Sequence, residues 1–136
     1  MSQTEGPVRF LNPGAMSTPT GYSYAVEIKA GRTIYTSGQV ALDSSGKLVG
    51  AGDLRAQTIQ VLENIKTVLA EAGAGIEHII KCTYYLVDIS QVGIVREVRS
   101  QYFKGQAPAS TVLEVRQLVH PDWLIEIEAM AYLPAE

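Results

Sequence analysis

Apolar residues recur along this chain at two spacings, and the changes from one to the other mark out its elements. Near the C-terminal end Ile125, Ile127, Ala129 and Ala131 alternate with Glu126, Glu128, Met130 and Tyr132, the period of a strand whose faces meet different surroundings. Residues 8–11 predict a short first strand, stopped by the turn residues Asn12, Pro13 and Gly14. Residues 12–21, with two prolines and two glycines, read as a surface loop. Residues 23–30 alternate again, with Tyr24, Val26 and Ile28 on one face, and Gly31 turns the chain into a further strand over 32–40. Those two strands predict a hairpin.

From Asp53 the spacing becomes helical. Leu54, Thr58, Val61, Leu62, Ile65, Val68, Leu69 and Ala72 trace one face, with Asp53 placed to cap the start and Gly73 or Gly75 to stop the end. Residues 77–88 return to strand character. Residues 90–103 predict a weaker helix capped by Ser90, with Val92, Val95, Val98 or Arg99, and Tyr102 on its inner face. Residues 111–118 alternate like the last strand, and a hairpin across residues 119–123 would pair the two.

This order predicts a single α+β domain over residues 1–136, a mixed sheet with two helices packed on one face. No helix is left for the opposite face, so that face is expected to be buried against further copies of the chain, with sites in the clefts between subunits. The formal net charge of −3 and the scattered lysines and arginines disfavour a nucleic-acid partner. Residues 1–16 lack the apolar core of a signal peptide, and no apolar run reaches membrane-spanning length. A cytoplasmic protein with no membrane partner is the expectation. The single cysteine, Cys82, sits in strand-like sequence, reads as a small buried hydrophobe and fits a reducing compartment.

The candidate chemistry centres on Glu126 and Glu128, two carboxylates on one face beside apolar neighbours. A carboxylate is costly to desolvate unless it finds a partner or keeps its proton. The terminal hairpin would set Arg116 opposite Glu126 and Glu114 opposite Glu128, so an ion-pair network competes with a functional site as the explanation. In the first hairpin, a two-residue turn would put Tyr24 opposite Ser37, and a three-residue turn would separate their faces. The polar run Thr36-Ser37-Gly38-Gln39 reads either as a bulge or close backbone approach, or as a bare strand end. His78 and His120 lack metal-ligand spacing, and no phosphate loop or dinucleotide fingerprint occurs, so neither a metal nor a cofactor is expected.

Several runs together resemble the RidA family, also called YjgF. They are Ile34-Tyr35-Thr36-Ser37-Gly38-Gln39-Val40, Leu62-Glu63-Asn64-Ile65 through Ala72-Gly73, Ile80-Lys81-Cys82-Thr83 to Val87-Asp88, Pro108-Ala109-Ser110-Thr111, Glu114-Val115 and Ile125-Glu126-Ile127-Glu128-Ala129, in order between about residues 22 and 132. The resemblance implies a chorismate-mutase-like fold and a homotrimer with three inter-subunit clefts. It also implies cofactor-independent hydrolysis of reactive enamines and imines, such as 2-aminoacrylate released by pyridoxal-phosphate enzymes, to a 2-oxo acid and ammonia.

By the same resemblance Tyr24 and Ser37 fall on active-site positions, and Glu126 on the acid that positions the hydrolytic water. Gly38, Ser110, Val112 and Arg96 fall on or beside the substrate-binding positions. Ser110 departs from the pattern, because deaminating members carry there an arginine that grips the substrate carboxylate, which a hydroxyl does not imitate. Val112 stands where a cysteine is usual. Arg96 stands where many members have asparagine, and reads either as a cleft residue or as a solvated helix residue. The expected function is a hydrolase or deaminase of small enamines, imines or related amides with altered substrate choice. A non-catalytic trimeric metabolite-binding or regulatory protein is the alternative, with a ribonuclease or translation inhibitor behind it.

Overall fold

Strand β6, Ile125–Leu133, holds the centre of the molecule because alternate residues along it are apolar, and a computed structural model describing residues 6–135 shows what each face meets. Ile125, Ile127, Ala129 and Ala131 are buried, while Glu126, Glu128 and Met130 point the other way and are more exposed. On one side β6 pairs antiparallel with β3, Arg32–Tyr35, and on the other with β4, Ile79–Leu86. Strand β5, Ala109–Glu114, lies parallel to β4, so the four-stranded sheet runs β3-β6-β4-β5. Strands β1, Val8–Leu11, and β2, Ala25–Ile28, form a separate antiparallel pair, with Arg9 and Glu27 opposite and bridged at 2.9 Å.

Two helices cover one face of the sheet, as the periodicity predicts. Helix α1, Leu54–Ala70, starts at Asp53, whose carboxylate accepts from the Ala56 amide at 3.0 Å. Its Val61, Leu62, Ile65 and Leu69 pack with Val95 and Val98 of α2, Val92–Tyr102, and with Cys82, Tyr84, Leu86 and the inner residues of β6. The start of α2 differs from expectation. Ser90 does not cap it: the Asp88 carboxylate accepts from the Ser90 amide at 3.0 Å and caps a 3₁₀ turn, Ile89–Gln91, and α2 follows from Gln91, which makes no side-chain capping bond.

Neither predicted hairpin forms. Residues 23–30 and 32–40 contribute to different sheets, β2 pairing with β1 and β3 with β6, so the choice of register between Tyr24 and Ser37 does not arise. At the C-terminal end β4 lies between β5 and β6. The Val115 amide donates to Leu86 and the Val87 amide to Leu124, so the end of β4 holds both connections apart. Glu126 therefore faces Tyr85 and Glu128 faces Thr83, rather than Arg116 and Glu114.

The physical reason lies in α1. Gln57 is fully buried, donates to the Gly50 and Asp122 carbonyls at 3.1 Å each and accepts from the Leu124 amide at 2.9 Å. Residues 119–124, which read as a hairpin turn, are thereby tied down onto the helix. The β4-α2-β5 crossover supplies what a parallel pair needs, a connection long enough to return the chain to the same end of the sheet. Period-two patterning reports which face a strand shows, and strands of equal alternation compete equally for neighbours.

Removing the Gln57 amide would take the partner from two carbonyls and an N–H that face its buried side chain. Gln57→Ala is expected to lower stability by about 2 kcal/mol or more in chemical denaturation. A denaturation midpoint equal to that of the unsubstituted chain would show that the tie is not needed.

Candidate functional site

Glu126 faces away from the helices because its neighbours Ile125 and Ile127 are committed to the core. What covers it is the segment that follows β3. Tyr35 lies opposite Met130 and Gln39 opposite Ile127, four steps along one strand against three along the other, so this segment carries one extra residue. That is a bulge, one of the two readings the run allowed. Thr36 anchors its near side, donating from its amide to Ala129 at 2.9 Å and accepting on its hydroxyl from the Ala129 amide at 3.0 Å. Gln39 and Ile127 exchange two backbone hydrogen bonds on the far side.

Gly38, at the top of the bulge, lies against the Glu126 carboxylate, and any β-carbon on it would collide with Oε2. Ser37 beside it is exposed. Loss of water around Glu126 pushes its carboxyl above the ordinary glutamate range, and the charge of Glu128 pushes the same way. Opposite, the Tyr85 phenol is raised first by desolvation and then by Glu128 and Glu126. The same face continues into a shallow cavity of about 180 Å³ lined by Tyr35, Thr36, Lys81, Thr83, Glu128 and Met130.

A second group of site residues collects at the β5 edge. Ser110 pairs with Cys82 and Val112 with Tyr84, so both side chains turn toward the helix layer. There they share a pocket of about 400 Å³ with Arg96 and Arg99 of α2 and with Thr20 and Tyr22 of the incoming loop. The loop is held in place through Ser23, whose amide donates to Pro108 at 3.0 Å and whose hydroxyl donates to Ala107 at 2.6 Å. Tyr22 and Tyr24 meet edge to face with ring centroids 5.5 Å apart. The Tyr24 hydroxyl donates to the Ser17 carbonyl at 3.0 Å and meets the Ser17 hydroxyl at 2.8 Å; the Ser17 hydroxyl and then Tyr22 lower its phenol pKa.

The predicted residues thus fall into two groups. Ser110, Val112 and Arg96 share one pocket, with Tyr24 against the Tyr22 ring that also lines it, and Gly38 lies against Glu126 elsewhere, with Ser37 next to it in sequence. The sheet separates them. Ser110 and Val112 pair with Cys82 and Tyr84, which face the helices, whereas Glu126 pairs with Tyr85 on the opposite face. Arg99 and Tyr22 were not singled out for function from the sequence, although a guanidinium placed among the inward residues of α2 is a signal that could have found Arg99.

Other chemistry is accounted for by structure. Cys82 is buried, and desolvation pushes its thiol up to about 12, so it is held as a neutral thiol. The His78 ring accepts from the Gly75 amide at 2.9 Å, and the His120 ring accepts from the Asp122 amide at 3.2 Å while stacking on Trp123. Among the described residues no three His, Cys, Asp or Glu side chains gather as a metal site, and no described helix is long and apolar enough to cross a membrane.

Comparison with known proteins places relatives on nearly this whole span. The family model described as endoribonuclease L-PSP matches residues 14–133. A RutC family protein of Pyrococcus abyssi is 41% identical over 109 residues, covering 80% of this chain and 85% of the relative. The 2-iminobutanoate/2-iminopropanoate deaminase of Mus musculus is 40% identical over 111 residues, covering 81% of this chain and 79% of that enzyme. The crystal structure of YyfB, a Rid family protein from Yersinia pestis, superposes with a TM-score of 0.84 at 40% identity, over 94% of this chain and all of that one, 100%.

The raised carboxyl of Glu126 carries a stability signature. The folded chain holds that proton more tightly than the unfolded chain, so stability falls as pH rises from the ordinary glutamate range through the raised value, and the loss persists above it. Glu126→Gln does not ionise. It is expected to be more stable than the parent at neutral pH, with the difference closing below about pH 4. Thermal melts across pH that run parallel for the two proteins would contradict a desolvated Glu126.

Proposed function

Because the chain belongs to the RidA/YjgF family, which carries the endoribonuclease L-PSP description, we propose that it is a small-molecule hydrolase of the imine-deaminase type. It would act on enamines or imines in clefts completed between the subunits of a homotrimer. The observation that carries this reading is Glu126, a partly desolvated carboxylate on the open face, seated against a residue with no side chain. Desolvation and the neighbouring Glu128 raise its proton affinity, the direction that strengthens a general base.

The chemistry follows from that group. An enamine first tautomerises to its imine by protonation at carbon. Protonation at carbon leaves the species as its iminium ion, and Glu126 takes a proton from water as the water oxygen attacks the iminium carbon, giving a neutral carbinolamine. Glu126 then returns that proton to nitrogen, and as the C–N bond breaks the hydroxyl gives its proton to the Glu126 carboxylate, leaving ammonia and the carbonyl product. Ser37 hydroxyl and Tyr24 phenol are the hydrogen-bonding groups assigned to orient water and stabilise the developing amine. The lack of a side chain at Gly38 leaves the space that the Glu126 carboxylate occupies.

The surface of the open face fits the same reading. The open face carries Tyr35, 69% exposed, with Leu113 and Met130, an apolar surface that packing against a second copy would remove from water. Because Ser110 and Glu126 serve opposite faces, a neighbour's pocket is what would bring both kinds of group around one substrate. The net charge of −3 argues against an RNA substrate, whatever the family description. The serine at position 110 favours the alternative of a trimeric metabolite-binding protein, which predicts saturable binding without turnover.

Ammonia release from a 2-imino acid generated in the assay decides between them. Glu126→Gln is expected to slow it by about 10²- to 10⁴-fold. In the parent protein kcat/KM should decline on the acid side with a midpoint above the ordinary glutamate range, since the base must be ionised to work. No ammonia above the uncatalysed rate, with identical traces for the parent and Glu126→Gln, would retire the enzyme.

A further inference from the structure

We propose that Tyr85 is a further catalytic residue, the phenol that delivers a proton to the carbon of an enamine and recovers one from Glu126 when the reaction ends. This role rests on the deaminase-type reading above. Enamine hydrolysis through Glu126 alone leaves two protons unassigned. Carbon takes one from a donor not yet named, and Glu126 finishes with one that it did not hold at the start.

The register of the sheet places Tyr85 for both tasks. It lies directly opposite Glu126 across the β4 and β6 pair, with Thr83 opposite Glu128, and all four side chains share the outer face. Opposed residues in an antiparallel pair have their β-carbons about 4.5–5.5 Å apart, so a ring and a carboxylate can touch. The Tyr85 phenol has Glu128 within hydrogen-bonding reach and Glu126 close enough to act on it through charge. Desolvation first, and then the two acids, hold it as the neutral phenol, the form that has a proton to give. Other donors on this face stand elsewhere. Lys81 and Tyr35 both lie opposite Met130, four residues along β6 from Glu126 and so about 13 Å away, and the Lys81 ammonium donates to Thr111. Strand β5 sends Thr111 and Leu113 to this face. Tyr24 belongs to the group at the β5 edge, where its hydroxyl donates to Ser17.

With Tyr85 included the protons balance. As its O–H bond breaks, the proton bonds to the β-carbon of the enamine through the C=C electron pair, and the nitrogen lone pair forms the C=N bond. A phenolate and an iminium ion result, and their opposite charges offset one another. Water addition through Glu126 and expulsion of ammonia then follow as above and leave Glu126 protonated. That proton passes across the strand pair to the phenolate, which binds it more tightly than a carboxylate does. Both groups return to their starting forms, and the net change is enamine and water to carbonyl compound and ammonia.

A pair of substrates separates this role from the rest of the site. The enamine 2-aminocrotonate, formed in the assay by dehydration of threonine, needs the carbon proton. The imine 2-iminobutanoate, formed by oxidation of 2-aminobutanoate, does not. The full-length parent is expected to speed ammonia release from both. Tyr85→Phe removes one oxygen and keeps the ring, and its ratio of kcat on the enamine to kcat on the imine should fall at least about tenfold. In heavy water the parent should set deuterium at C3 of 2-oxobutanoate in one configuration, read after immediate reduction of the ketone, and Tyr85→Phe should give both configurations equally. An unchanged ratio, loss of both activities together in the variant, a parent active on the imine alone, or equal configurations from the parent would overturn the role of Tyr85 and leave the deaminase standing. No release by the parent from either substrate would retire the deaminase and this role with it.

Discussion

A side chain on a β-strand can serve only one face of its sheet, and that constraint organises this molecule. In β6 it commits Ile125, Ile127, Ala129 and Ala131 to the helix layer and leaves Glu126 and Glu128 facing outward. In β4 and β5 it turns Cys82, Tyr84, Ser110 and Val112 inward with the helices, and Lys81, Thr83, Tyr85, Thr111 and Leu113 out. Lys81 and Thr111 accordingly meet across the outer face, Nζ donating to Oγ1 at 2.8 Å. The same alternation that builds the core therefore divides the polar groups between two surfaces that one protomer does not join.

Each half has its own electrostatic character. On the outer face Glu126 is crowded by Gly38 and by a second carboxylate, so the fold favours its proton. On the helix side the guanidinium groups of Arg96 and Arg99, without a carboxylate partner among the described residues, line the same pocket as Ser110, and Arg99 lies over the Tyr84 ring. The bulge at residues 36–39 matters because it sets a glycine, rather than a bulkier neighbour, against the acid.

Much of this was legible from spacing. The helix capped by Asp53, the burial of Cys82 and the outward face of Glu126 follow from periods of 3.6 and 2. Strand order was not legible. Residues 111–118 and 125–133 alternate alike and adjoin in sequence, which favours a hairpin, but β4 is apolar enough on its inner face to take the place between them. The deciding side chain was Gln57, a polar residue that periodicity assigns to no face and that the structure buries to fasten residues 122 and 124 to α1. Ser90 yielded the cap to Asp88 for a similar reason, since both residues have capping chemistry and the backbone entering the 3₁₀ turn selects the earlier one. Arg99 was hidden because a cation among inward helix positions reads as an interruption of the apolar stripe until the pocket beside it is seen.

If the sheet divides the site, two damaged copies can repair one another. Subunits carrying Glu126→Gln and subunits carrying Arg99→Gln, each prepared alone and found impaired, are unfolded together, refolded as a mixture and assayed for ammonia release. A site shared between protomers predicts that the mixture recovers activity that neither parent shows, because some clefts receive Glu126 from one copy and Arg99 from its neighbour. A mixture no more active than the average of its two parents would mean that each protomer works alone.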